Sequence, residues 1–435
     1  MQTILKNPRN GCAFQGALQT VLSIKGAIPI VHSTSGCAYQ NYLANKAAGF
    51  GEGFISAVEA PGTNMQERHI IFGGASRLRE QIKNTVKVVD GKLYVVLNSC
   101  PSAMVGDDVD AMVREANEQD EKVLDGLSAG FHGDVHYGYS QILTEIFSNL
   151  PKIFPENNDE SADERKEKYS VNIFGIIPQK DLTYKGDLEE IKKILKRFGI
   201  KANIFFGNSD GVKELLDAKK AKLSITFSKW GINPAEKLKQ LYDVPYISFD
   251  SIPLGLEETS SFLKEITAQL KLDDKAVEDY LIEETDRTNF YFSNLREIFY
   301  QKHLNKAVDI IADEANAIRF STFLKNYFGT TVNSAIITDF VPSDDYPETK
   351  KAEELKSVAS QIYFSQDAGE ISDLLSFTES KGILGSSLEK KIASKKNADF
   401  IAISYPDYNH IYLSKTYAGI TGSIIFAEDY ASQIR

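Results

Sequence analysis

The sequence predicts an α/β protein built on parallel sheets, and three observations carry that prediction. Short β-branched, apolar runs alternate with stretches of one-sided helical periodicity along the chain, joined by short connections, as in βαβ units. Runs such as Leu93-Tyr-Val-Val-Leu97 are apolar almost without interruption, as strands buried on both faces are. The length of 435 residues exceeds one ordinary core; at roughly 150 residues per domain it gives about three units. We place them at 1–155, 169–255 and 256–435. The first boundary is the polar, charged stretch Pro155 to Lys168, and the third unit begins with a helical connection.

Taken in order, Ala13, Phe14, Ala17, Leu18, Val21 and Leu22 form the stripe of a one-sided helix that Gly26 ends. Ala27 to Val31 is a short buried strand that Pro29 confines to an edge or an entry position. His32 to Gly36 is a small-residue loop, and Cys37 starts the next helix. Glu67 to Gly74 reads as a strand with a glycine turn, followed by a helix from Ala75 to Val86. Lys92 to Leu97 is a strand, Asn98 to Gly106 a loop, and Asp107 or Asp108 caps a helix reaching Asn117. Val123 to Ala129 is a strand. Phe131 to Gly138 is a glycine-punctuated loop before a helix from Tyr139 to Asn149.

In the second unit, strands at 169–175, 201–206, 223–227 and 246–249 alternate with helices at 187–198, 210–218 and 234–242. Glu257 to Thr288 is helical, and a long helix then runs from Leu295 to Ala315. The third unit has strands at 334–337, 361–364, 382–384 and 400–403.

Composition excludes several functions. Net charge is −11, from 49 basic and 60 acidic residues, so no basic excess exists to neutralise phosphates, and neither nucleic acid nor a membrane surface is an expected partner. No run of about 18 apolar residues occurs, which speaks against a membrane span. The first residues carry no signal-peptide apolar region, and the expected location is cytoplasmic. Three cysteines in such a chain are no disulfide framework.

Those cysteines, Cys12, Cys37 and Cys100, are the candidate site. Each lies where strand or loop passes into helix, and Cys37 and Cys100 follow the carboxyl ends of strands, where open parallel sheets bind ligands. Helix starts present free N–H groups and partial positive charge, which favours thiolates and a net-negative iron–sulfur cluster. The glycines Gly11, Gly36 and Gly106 would let backbone approach a bulky inorganic core. The bland alternative is three unrelated buried thiols. There is no Cys-x-x-Cys pair, so the pattern is not that of a ferredoxin. Three ligands leave a four-iron cluster one short, and an oxygen, a histidine or another chain could supply the rest.

At these residues the chain resembles a known family. Asn7-Pro-Arg-Asn-Gly-Cys12, Gly16-Ala17, Pro29-Ile-Val-His-Ser-Thr-Ser-Gly-Cys37, Phe72-Gly-Gly74 and Ser99-Cys100-Pro-Ser-Ala-Met-Val-Gly-Asp-Asp108 are similar to the successive opening motifs of nitrogenase component 1 subunits. The spacings of 25 and 63 positions between cysteines are similar too. Gly385-Ser-Ser387 and Ser404-Tyr-Pro-Asp-Tyr408 extend the likeness towards the C-terminus.

The resemblance implies three Rossmann-like, doubly wound domains and a metallocluster at the interface of paired homologous subunits. It also implies a separate ATP-hydrolysing iron–sulfur reductase as electron donor; the chain itself has no G-x-x-x-x-G-K-[ST] motif. The α subunit of that family holds its active-site cofactor with a further cysteine and a C-terminal histidine. Here a fourth cysteine is missing, and His410 matches a β-type segment better. The chain therefore resembles the β-type subunit, with no catalytic residue of its own. Its expected partner is an α-type subunit in a heterotetramer. Cys12, Cys37 and Cys100 would be the metal ligands, either of a P-cluster-like 8Fe-7S centre shared with that partner or of a 4Fe-4S cluster. The segments Cys-Ala-Phe and His-Ser-Thr-Ser-Gly-Cys depart from those of β subunits in true nitrogenases, which points to a nitrogenase-like oxidoreductase.

Asp134 stands where some β subunits carry a cluster-ligating serine. As a hard oxygen ligand it could complete an iron site; as a loop aspartate it would cap the next helix. His132 and His136 flank it as loop histidines, His32 is placed to tune the site through hydrogen bonds, and Trp230 reads as core packing. The expected role is relay of low-potential electrons to a substrate site in the partner. The alternatives are a scaffold for iron–sulfur cofactor maturation and a homodimeric reductase of a tetrapyrrole-like substrate.

Overall fold

The computed structural model describes residues 5–45, 60–155, 169–208, 211–339 and 351–434. Of the expected linker, 156–168 lie outside the described residues, as does Asp210. The chain divides into two compact units. One comprises Asn10–Gln179 with Lys201–Ser248; the other comprises Met1–Arg9, Lys180–Ile200 and Phe249–Arg435. Every strand pairing in the three sheets is parallel.

The cysteine-bearing unit runs α1 (Ala13–Leu22), β1 (Ala27–His32), α2 (Ser35–Asn45), α3 (Glu67–Phe72), α4 (Ala75–Val88), β2 (Leu93–Asn98), α5 (Cys100–Val105), α6 (Val109–Asn117), β3 (Val123–Leu127) and α7 (Val135–Ile153). Its first sheet has the order β1-β2-β3, so Pro29 indeed sits on an edge strand, beside Val95. All six residues of β2 are buried, as its apolar run requires. Helices α4 and α6 cover one face through Leu78, Ile82, Val109 and Val113. On α1 and α7 two glycines set the crossing: a Cβ on Gly16 would stand 2.0 Å from the Val135 carbonyl oxygen, and one on Gly138 2.0 Å from that of Ala13. Only glycine lets the two backbones meet so closely. The second sheet, β4 (Ser170–Phe174), β5 (Lys201–Asn203), β6 (Leu223–Thr226) and β7 (Tyr246–Ser248), has the order β5-β4-β6-β7.

The other unit holds β8 (Val308–Ala312), β9 (Val332–Ile337), β10 (Ala359–Phe364), β11 (Gly382–Gly385) and β12 (Asp399–Ala402), ordered β10-β9-β8-β11-β12. This is the doubly wound order, with the direction of winding reversed between β8 and β11. Apolar side chains cover both faces of the sheet. The helix Tyr184–Arg197 belongs to this unit and is fastened by Asp187. That buried carboxylate accepts hydrogen bonds from Thr183, Arg319, Thr416 and the backbone N–H groups of Tyr417 and Ala418.

The structure corrects the sequence reading at five places. Glu67–Phe72 is a helix, not a strand: Gln66 and His69 form a capping box, and Ile70, Ile71 and Phe72 point outward. Within the expected loop 98–106, Ser99 caps a helix with Pro101 in its first turn. The helix expected from Tyr139 begins at Val135, because Asp134 caps it. The helical stretch 257–288 breaks at Lys271, whose φ is +56°. Last, the long helix expected over 295–315 is a helix, Leu295–Lys302, followed by strand β8. Asp309 disguised that strand; it is fully buried, with its oxygens accepting from Ser334, Thr378 and Ser380 hydroxyls at 2.6–2.8 Å.

Candidate metal centre

The register of the first sheet assembles the site. His32 lies opposite Asn98, and Asn98 opposite Leu127, so three adjacent strands end together. The segments leaving them carry Cys37, Cys100 and Gly130. The His32 carbonyl oxygen accepts from the Ser99 hydroxyl at 2.9 Å and the Ser102 hydroxyl at 2.8 Å, which joins the first two segments. The Ser128 hydroxyl donates to the Asn98 carbonyl oxygen, which joins the third.

Cys12 arrives from the other side. It precedes α1, forms an isolated antiparallel bridge with Asp134, and is followed by the Ala13 N–H donating to the Gly133 carbonyl oxygen at 2.8 Å. The glycine crossing of α1 and α7 therefore brings Cys12 to the same place. A side-chain carbon on Gly130 would lie 2.8 Å from Cys12 Sγ and 3.1 Å from Cys100 Sγ. The Gly130 N–H donates to Cys100 Sγ at 3.1 Å. Gln15 fixes the Cys37 segment by donating from Nε2 to the Cys37 carbonyl oxygen. All three thiols are half-buried, and none is in a disulfide.

The electrostatics differ from the sequence expectation. Burial pushes the Cys12 thiol up, and the neighbouring Cys100 and Cys37 add to it; the Gln15 and Phe14 N–H groups pull the other way and lose. Burial likewise raises Cys37 against the pull of the Ser33 hydroxyl. At Cys12 and Cys37 burial outweighs the pull of the neighbouring donors. A cationic metal core would reverse this, since a coordinating thiol is deprotonated outright.

The donor set fits a polynuclear iron–sulfur core: Cys12 and Cys100 close round a backbone cradle kept open by Gly130, with an N–H aimed at one sulfur, and Cys37 stands near enough to be felt by both thiols. Among the described residues no group of three His, Cys, Asp or Glu side chains converges closely enough to hold a single metal ion.

Asp134 is engaged as a cap. Its Oδ1 accepts from the N–H groups of His136 and Tyr137 at 3.0 and 3.1 Å, and its Oδ2 pairs with His136 Nδ1 at 2.9 Å. His136 stacks on Trp230 with ring centroids 5.7 Å apart, so Trp230 packs behind the site. His32 is fully buried between Thr63 (3.1 Å) and Asp107 (3.0 Å), and burial lowers its pKa. Asp107 also accepts from the Gly74 N–H, while Asp108 caps α6. This network ties the stem of the Cys37 loop to the segment after Cys100. His132 flanks Gly130 and packs against Phe131.

The resemblance puts Gly130 in a loop, Gly130 to Gly138, that fills the place of a further cluster-proximal loop, but sequence reasoning missed its part in the cradle and missed Gln15. Gly11, Gly36 and Gly106 do not show the same cradle: Gly106 is needed for its φ of +76° at the end of α5, a Cβ on Gly11 would meet Val135 and Gln15, and one on Gly36 would lie 4.0 Å from the Thr34 hydroxyl. The signal for Gly130 was its place just past a third parallel strand.

Comparison with known proteins agrees with the fold and extends it. The sequence model for nitrogenase component 1 type oxidoreductases matches residues 12–435. The chain is 23% identical to the nitrogenase vanadium-iron protein beta chain of Trichormus variabilis, over 94% of this chain and 89% of that one. It is also 23% identical to the nitrogenase iron-molybdenum cofactor biosynthesis protein NifE of Clostridium pasteurianum, over 97% of this chain and 86% of that one. A solved structure of nitrogenase Cp1 at pH 6.5 superposes with a TM-score of 0.79 at 17% identity, covering all of this chain and 94% of that one, which shows the same fold. This chain belongs to the nitrogenase component 1 type oxidoreductase family.

Proposed function

We propose that this chain is the β-type subunit of a nitrogenase-like two-component reductase, the electron-relay partner of a homologous α-type subunit. The observation that carries the reading is the closure of Cys12 and Cys100 around Gly130, with Cys37 near enough to be felt by both thiols, in a chain of this family. Those three residues would be the thiolate ligands of an iron–sulfur cluster, either 4Fe-4S or a P-cluster-like 8Fe-7S centre completed by the partner. When bound, such a cluster takes up and releases electrons at low potential. The protein's own contribution is positioning. The Gly130 N–H steadies the Cys100 sulfur, Gln15 holds the Cys37 backbone, and the Thr63–His32–Asp107 network braces both loops. Asp134 has the supporting part of capping α7 and holding His136 behind Cys12.

Three ligands leave the centre incomplete, and the elements that carry the site expose large apolar residues: Tyr39, Met104 and Phe131. Apolar surface ringing an incomplete metal site supports a partner subunit covering it. Electrons would come from a separate ATP-hydrolysing iron–sulfur reductase, and substrate would be reduced in the partner. We take the location to be cytoplasmic, with no nucleic-acid or membrane partner; the net charge of −11 supports the former exclusion, and among the described residues no helix is long and apolar enough to cross a membrane.

Full-length similarity to a cofactor biosynthesis protein favours a second reading, a scaffold on which an iron–sulfur cofactor matures. Co-expression with a homologous α-type subunit and anaerobic assay with the reductase, ATP and a reporter substrate separates the two. A relay subunit supports many turnovers and keeps its iron. A scaffold supports none and gives up its iron to an acceptor protein.

A further inference from the structure

Three thiols leave a four-iron cluster one ligand short. Most polar side chains beside them are already engaged. Both oxygens of Asp134 are taken up in the α7 cap and the pair with His136. Both ring nitrogens of His32 are held, by Thr63 and Asp107. The Ser33 hydroxyl faces the Cys37 thiol and favours its ionised form. Gln15 is different.

Gln15 stands three positions after Cys12, as the third residue of α1. A glutamine there normally turns its carbonyl oxygen back to the N–H at the helix start, as in a capping box. Here the amide reaches across instead. Its Nε2 donates to the Cys37 carbonyl oxygen at 2.9 Å, while the backbone N–H of the same residue is directed at the Cys12 thiol. One residue thus touches two of the three cysteine segments. The bond to Cys37 also settles which end of the amide is which, because a carbonyl oxygen can face only a donor. What remains is Oε1. It is buried without a hydrogen-bond partner, in a residue only 6% exposed. A buried carbonyl oxygen with no donor costs free energy, and a bound metal ion is one of the few groups that removes the cost.

We infer that Gln15 Oε1 is an oxygen ligand of the iron–sulfur centre, a fourth donor from this chain beside Cys12, Cys37 and Cys100. The chemistry suits the site. An amide carbonyl is a hard, neutral donor that needs no deprotonation, and it adds no charge to a net-negative cluster. The two ends of one amide then have separate tasks: nitrogen holds the Cys37 segment, and oxygen binds iron. The inference rests on reading the three cysteines as cluster ligands.

The test compares the parent with Gln15→Leu and Gln15→Glu, each purified anaerobically with the partner subunit. Iron per chain, the rate of iron release to a chelator and the electron paramagnetic resonance spectrum of the reduced state are measured. Leucine removes both ends of the amide, whereas glutamate removes the Nε2 donor and keeps an oxygen at the same reach. An oxygen ligand predicts that iron release quickens by roughly tenfold or more in Gln15→Leu. It predicts that Gln15→Glu keeps its iron with a shifted spectrum, and this variant decides the matter should Gln15→Leu fold poorly. A residue that only braces Cys37 predicts equal iron loss in both variants, since both lack Nε2, and that result overturns the inference. An iron-bearing parent whose spectrum and release rate both variants share overturns the inference alone. A parent without iron sinks the cluster reading as well.

Discussion

Asp125 in β3 is the clearest misfit among single residues. Burial, together with the negative charges of Asp110, Glu145 and Asp108, raises its pKa to about 6. A carboxyl with a raised native pKa contributes stability that is complete below its unfolded pKa and lost as pH rises through 6. Asp125→Asn should therefore stabilise the protein above pH 6 and do little below pH 4. Urea midpoints measured from about pH 5 to about pH 8 should separate from the parent's as pH rises; parallel curves would refute this. Asp134 invites a second test at the same scale. Asp134→Ala should cost about 1 kcal/mol by loss of the α7 cap, whereas Asp134→Asn should keep the cap and the iron content. Loss of iron from the asparagine variant, with its stability kept, would instead mark Asp134 as a ligand. Side chains were unevenly legible in the sequence. The cysteines announced themselves by type and spacing, but Gly130 matters because of what it lacks, and only the meeting of three segments reveals that.

At the scale of elements, the α1–α7 crossing is the joint on which the site turns. Gly138→Ala would drive a methyl group into the Ala13 carbonyl one residue from Cys12. Overpacking costs typically 1–3 kcal/mol, and a clash with backbone belongs at the upper end, about 3 kcal/mol. Thermal unfolding should show that loss, and iron retention should fall with it; an unchanged melting temperature would contradict the crossing geometry. The regular strands were legible because nearly continuous apolar runs admit few other readings. The misread elements each carry a local contradiction. Ile70-Ile71-Phe72 is apolar yet exposed, so its periodicity reports no core. Cys100–Val105 is too short for a pattern and is made by Ser99 and Pro101. In β8 a charged residue interrupts the run, and the hydroxyls that satisfy it lie at positions 334, 378 and 380, beyond any local window.

For the whole molecule, the sequence pattern held in its main lines: parallel α/β sheets, a doubly wound C-terminal sheet and membership of the nitrogenase component 1 family. Less legible was which helix serves which sheet. The helix Tyr184–Arg197 lies between β4 and β5 in sequence but groups with the C-terminal unit, through bonds from Asp187 to residues more than a hundred positions away. Asp187→Ala would leave Arg319 buried without its partner, a loss of about 3–5 kcal/mol, measurable as a lower denaturation midpoint. The central claim is that Cys12, Cys37 and Cys100 ligate one iron–sulfur cluster. Anaerobic purification with the partner subunit, followed by iron and sulfide analysis and resonance spectra in reduced and oxidised states, tests it most directly when the protein and its Cys100→Ala variant are run side by side. The account predicts iron and sulfide in the parent, with a spectrum altered or lost in the variant. A parent without iron, or a variant with the parent's spectrum, would contradict it.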